Sequence, residues 1–149
     1  MNKRRSIAIA VGIFCGLIFL TGTLVWNRMT DYSSVLEANW DIALPKDARY
    51  TEVYEAHSEA GWMGDGVRYH VFSYKNGEAM TLLLADERLL PADSGTPADV
   101  LLDEISVPAE ERPAYDACTI RYRKQADNDT LYLLLDSERN RLYIVESFY

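Results

Sequence analysis

Cysteine is scarce in this chain of 149 residues, with only Cys15 and Cys118. A chain so poor in cysteine is not a disulfide scaffold. Cys15 lies inside a long uncharged run and Cys118 lies far beyond it, so a bilayer would separate them and exclude an intrachain bridge. Cys118 falls on an alternating apolar pattern and reads as a small core residue. Histidine is equally rare, with His57 and His70 alone. No His-Glu-x-x-His spacing, Gly-x-Ser-x-Gly elbow, phosphate-cradling glycine loop or dinucleotide fingerprint occurs, so no cofactor is expected. Clustered Lys and Arg are also missing beyond residue 26. All 23 acidic residues and 12 of the 15 basic ones lie from residue 27 onward, a net charge of −11. Phosphate binding needs concentrated positive charge, so nucleic acid is excluded as a partner and anionic lipid headgroups are repelled.

What is present is one strong signal near the start. Lys3, Arg4 and Arg5 precede residues 7–26, which carry no charge. At ~1.5 Å per residue such a helix crosses a ~30 Å hydrocarbon layer. Trp26 sits where an interfacial aromatic belongs, and only Arg28 follows closely. The positive-inside rule then makes residues 1–6 a cytoplasmic tail, 7–26 a transmembrane signal-anchor, 27–33 a linker and 34–149 an extracytoplasmic domain. The small residues Thr21, Gly22 and Thr23 offer a cleavage site, but apolar Leu24, Val25 and Trp26 follow directly, which favours an anchor. Phe14 before Cys15 argues against lipidation.

The domain reads as α+β. Ser34 and Glu37 fit a capping box, with Val35, Leu36, Trp40 and Leu44 at helical spacing and Pro45 as the stop. This predicts a helix of about two turns that packs Trp40 against the domain. Residues 50–57 and 67–75 predict two strands around a turn with three glycines, Gly61, Gly64 and Gly66. Residues 78–89 are rich in helix formers and predict a helix with Asn76 as its cap. Residues 91–95 read as a loop. Thr96, Pro97 and Asp99 start a further helix that ends near Ser106. Cys118, Ile120 and Tyr122 alternate with polar residues, 131–135 are apolar on both faces, and 142–148 are rich in β-formers. Short polar loops join these three into a meander. The sum is an antiparallel sheet of about five strands with helices packed on one face.

The segment His57, Gly61, Trp62, Gly64, Asp65 and Gly66 resembles a His…Gly-aromatic-x-Gly-Asp-Gly turn of small, uncharacterised, membrane-anchored or exported proteins of Gram-positive bacteria. The resemblance loosely covers residues 40–149. It implies location and fold and brings no known activity. In this chain Glu59 and Ala60 widen the gap between His57 and Gly61.

Five residues around that turn form the candidate partner-contact set: His57, Trp62, Met63, Asp65 and His70. An apolar Trp62–Met63 pair on so acidic a surface suits protein contact. His57, Glu59, Asp65 and His70 also make a candidate divalent-metal set, since two imidazoles and a carboxylate suit zinc. Asp65 beside Gly66 equally serves as a turn residue bonding its own backbone. Asp127, Asn128 and Asp129 read as a hairpin turn, because the glycine and closing glutamate of a calcium loop are missing. Asp103 and Glu104, like Glu110 and Glu111, are sequence neighbours whose side chains do not face each other on a helix. Seven tyrosines fall on the expected strands, as half-buried sheet residues or as an exposed contact face.

The expected function is therefore a membrane-tethered extracytoplasmic binding or accessory module without catalytic activity, with an envelope protein as partner. The alternative is a metal-dependent envelope enzyme using His57 and His70. Topology is testable directly. Protease added to intact protoplasts should degrade residues 27–149, and full protection would contradict the assigned orientation.

Overall fold

The structure, a computed structural model, describes residues 32–45, 49–59, 65–75, 77–92, 98–125 and 128–149. Residues 7–26 lie outside these, as do Trp62 and Met63. No helix among the described residues is long and apolar enough to cross a membrane. The chain divides into two compact units, Met1–Leu44 and Pro45–Tyr149.

The described part of the first unit is helix α1, Tyr32–Trp40, and the extended residues after it. Ser34 sits inside this helix, so the expected capping box is not formed. Instead the Ser33 hydroxyl accepts a 3.1 Å hydrogen bond from the Leu44 amide. That bond ties the start of the helix to the strand-like residues beyond its end. Asp41 takes a left-handed φ of 55° and stops the helix at Trp40. Leu36, Trp40, Ile42 and Leu44 are all buried.

The second unit is built on a six-stranded antiparallel sheet in the order β1-β2-β6-β5-β4-β3. Its strands are β1 (Tyr50–His57), β2 (Gly66–Tyr74), β3 (Leu90–Pro91), β4 (Cys118–Lys124), β5 (Thr130–Asp136) and β6 (Arg141–Phe148). The expected β1–β2 hairpin and β4–β5–β6 meander both form. Every residue of β5 after Thr130 is buried, as expected for a central strand covered on both faces.

Between the hairpin and the meander the described residues include two α-helices, α2 (Glu78–Leu84) and α3 (Ala98–Glu104). Helix α2 is shorter than its composition predicts. Its N-cap is Gly77, not Asn76, and it ends at Leu84. The reason is local competition. The Asp86 carboxylate accepts the Arg88 amide at 2.9 Å and the Arg88 guanidinium at 2.6–3.2 Å, which stabilises a turn in place of further helix. Leu90, which follows the expected helix, and Pro91, which opens the expected loop, instead pair with Tyr122 and Arg121 of β4 as the sixth strand. Pro91 is tolerated because an edge strand can spare a donor.

Helix α3 ends in a Schellman motif without glycine. Ser106 adopts φ 55°, its amide bonds Asp103 O at 3.0 Å, and the Val107 amide bonds Leu102 O at 3.0 Å. Leu102 and Val107 both join the cluster that α3 seals over one sheet face, with Tyr69, Val71, Leu134, Tyr143 and Val145. Two single 3-10 turns, Ala109–Glu111 and Tyr115–Ala117, lead back to β4. Four interactions strap them down. The Tyr69 hydroxyl donates to Glu111 O at 2.6 Å. Arg112 donates to Val107 O at 2.9 Å and pairs with Asp103 at 2.7 Å. The Tyr115 hydroxyl donates to Asp99 at 3.1 Å.

Leu133 is 1 % exposed at the middle of β5. Leu133→Ala should therefore destabilise the protein by about 2–5 kcal/mol through the lost burial and the cavity left behind. Urea denaturation measures this, and an unchanged midpoint would show that the site relaxes or is not core.

Candidate functional site

The chemistry-bearing side chains gather on one face of the β1–β2 hairpin, at the sheet edge opposite β3. A β-bulge creates the arrangement. Tyr50, Thr51 and Glu52 oppose Tyr74, Ser73 and Phe72, but Tyr54 opposes Val71, so Val53 is an extra residue. In a regular strand, residues three apart point to opposite faces. The inserted Val53 brings Glu52 and Glu55 onto the same face, which they share with His57, Arg68 and His70.

On that face His70 lies directly opposite Glu55. The Nδ1 atom of His70 is 2.5 Å from Glu52 Oε1. Its ring stacks on Phe72, with planes 12° apart. One ligand atom each of Glu52, Glu55 and His70 lies within 4.8 Å of the others. The imidazole is largely shielded, its side chain 14 % exposed, while Glu52 stands in solvent at 37 %.

The turn end of the hairpin forms a hollow of about 200 Å³ lined by residues that include His57, Asp65, Arg68 and His70. Its rim depends on Gly66, whose φ is +130°. A Cβ there would lie 2.0 Å from the Ser58 hydroxyl. That hydroxyl accepts the Val67 amide at 2.9 Å and extends the ladder one residue past β1. A side chain at position 66 would therefore strain the backbone and push the Ser58 hydroxyl from its place at the end of the strand pair. The Arg68 guanidinium is held by Phe148, 4.8 Å from its ring centre.

Three of the five expected contact residues, His57, Asp65 and His70, thus meet around one hollow. Trp62 and Met63 lie outside the described residues. The two histidines do not oppose each other. His57 pairs with Arg68 and is only the diagonal neighbour of His70, a separation of about 7–8 Å between Cα atoms. No known protein family, curated protein or solved structure matches the chain. The site must be read from its own geometry.

Sequence reasoning missed Glu52, Glu55 and Arg68. Their proximity to His70 depends on a bulge at Val53, and nothing in the local sequence marks one. The expected strand tyrosines resolve as packed residues. Tyr69, Tyr74, Tyr132 and Tyr143 are buried, and Tyr50, Tyr54 and Tyr122 are half-buried. The structure therefore replaces the exposed tyrosine face with interior rings, such as the Tyr54–Tyr69 edge contact at 5.9 Å.

Cys118 is half-buried beside the main cluster. Burial, and then the nearby Asp136 carboxylate, push its thiol from 9.0 up to about 11. This is the opposite of nucleophile activation. Below pH 9 the folded state gains from keeping the thiol neutral, and that gain is lost as pH rises from 9 through 11. In a Cys15→Ser background, iodoacetamide at pH 8 should alkylate Cys118 about a hundredfold more slowly than a free thiol, since two pKa units separate their thiolate fractions. Alkylation as fast as that of a free cysteine would contradict the placement.

Proposed function

We propose that this chain is a membrane-tethered, extracytoplasmic binding or accessory module that acts by contact and not by catalysis. Residues 7–26 provide the tether and the acidic domain faces outward. The partner is another envelope protein, and the contact is the turn end of the β1–β2 hairpin.

The hollow at that end is the observation that carries the reading. At about 200 Å³ it falls below the roughly 300–1,000 Å³ that encloses a small-molecule substrate. It is large enough to seat one side chain of a partner. His57, Asp65 and Arg68 around it offer acceptors, donors and both signs of charge, as a polar rim does in protein interfaces. The adjoining Trp62 and Met63 in the sequence supply the apolar residues that such contacts use as anchors.

The test compares capture of partner protein from native membranes by the wild-type and Trp62→Ala chains, each with its melting temperature. The expected result is an almost unchanged melt with capture weakened by about 2 kcal/mol or more, the scale of an interface hot spot. Capture intact alongside a loss of about 3–5 kcal/mol in stability would instead make Trp62 a core residue and end the contact reading.

A further inference from the structure

We propose that Glu52, Glu55 and His70 form a binding site for a first-row divalent transition-metal ion, zinc by preference. The site is separate from the hollow in its ligands, apart from His70, and does not rest on the contact reading.

Three observations combine. First, one ligand atom from each residue already lies within 4.8 Å of the other two. Atoms about 2.1 Å from a shared ion are at most about 4.2 Å apart, so only small side-chain rotations separate the present arrangement from ligation. Second, the bulge at Val53 is what turns both carboxylates toward the imidazole. Without it, one glutamate would point to the far face of the sheet. Third, the imidazole is positioned in advance. Phe72 supports its ring, and the Glu52 carboxylate already lies against its Nδ1 edge, where an arriving ion would take the place of the proton the two share and release it to solvent. Little ordering entropy remains to be lost when an ion arrives.

The donor set narrows the metal. Calcium takes six to eight oxygen ligands and magnesium keeps an octahedral oxygen shell, so an imidazole with two carboxylates suits neither. One nitrogen and two oxygens match zinc, with one position left open to water or to an incoming ligand. No cysteine is among the three, which removes the soft ligands that select copper(I). The net charge of −11 beyond residue 26 raises the local concentration of cations. Arg68 shares this face of β2, with its guanidinium over the Phe148 ring and its side chain lining the hollow. An ion would also bridge β1 to β2 across the irregularity in their ladder. The gap that the bulge leaves in the hydrogen bonding would thus be clamped by metal.

The experiment is calorimetric titration of untagged full-length chain in detergent with Zn²⁺ and, separately, Ca²⁺, with X-ray absorption of the zinc-loaded sample. The expected result is one zinc per chain, an absorption spectrum with one imidazole in the shell, and far weaker calcium binding. Glu55→Gln and His70→Gln should each weaken zinc binding by more than about tenfold, the least that even an outer-sphere partner contributes. Far-ultraviolet circular dichroism checks that both variants remain folded, and Glu55 is exposed enough to be replaced without loss of core. Three results would overturn the assignment: no zinc bound by folded wild type, zinc affinity unchanged in Glu55→Gln, or affinity lost in His57→Gln but kept in Glu55→Gln. The last would move the ion to a two-histidine set. Zinc bound as expected with no partner captured would sink only the contact reading.

Discussion

Everything in the second unit depends on the pairing of β2 with β6. The hairpin β1–β2 and the meander β4–β5–β6 each pair strands that follow one another in sequence. Only the ladder from Gly66↔Phe148 to Ser73↔Arg141 makes one sheet of them. Two strands in isolation are marginal in water, and a hairpin needs further strands or a helix to hold it. Register matters as much as pairing. Tyr69 beside Val145 and Val71 beside Tyr143 place their side chains under α3, whereas a slip of one residue would turn them to the other face. The same register sets Arg68 opposite the fully buried Glu146.

This constraint leaves β1 as an edge, and the edge is where irregularity is tolerated. A bulge in β6 or β5 would break two ladders. In β1 it disturbs one, and leaves the extra residue Val53 in solvent at 46 % exposure. Bulges concentrate at sheet edges, where they re-aim side chains. Here the re-aimed side chain is a glutamate, and its new neighbours are a second glutamate and a histidine. The irregular strand also discourages edge-to-edge pairing with another chain, as do the acidic side chains along it. One feature thus serves solubility and assembles the polar cluster.

The segment between hairpin and meander shows how side chains decide where helices stop. Composition favours a helix through residue 89, yet Asp86 and Arg88 satisfy each other and the backbone in a turn. Ser106 ends α3 in a conformation usually left to glycine, and Leu102 and Val107 on either side of it are both buried in the core cluster. Arg112 and Tyr115 then reach back to Asp99 and Asp103 of α3, and these side chains hold the return path to β4.

The sequence by itself determined the α+β class, the bounds of β1 to within a residue, the three-strand meander and the burial of β5, because these rest on periodicity, turn residues and local composition. It also marked His57, Asp65 and His70 as neighbours of one turn, since a hairpin brings its own ends together. Tertiary structure alone decided the rest. The sixth strand at Leu90–Pro91 exists because β4 offers an open edge, and no local preference of those two residues foretells it. The capping box at Ser34 does not form because the helix already includes Tyr32 and Ser33, and the Ser33 hydroxyl accepts from the distant Leu44 amide. The polar cluster followed from a single extra residue in β1, which changes the face of every side chain after it. A bulge is a mismatch between two strands, so neither strand's sequence records it alone.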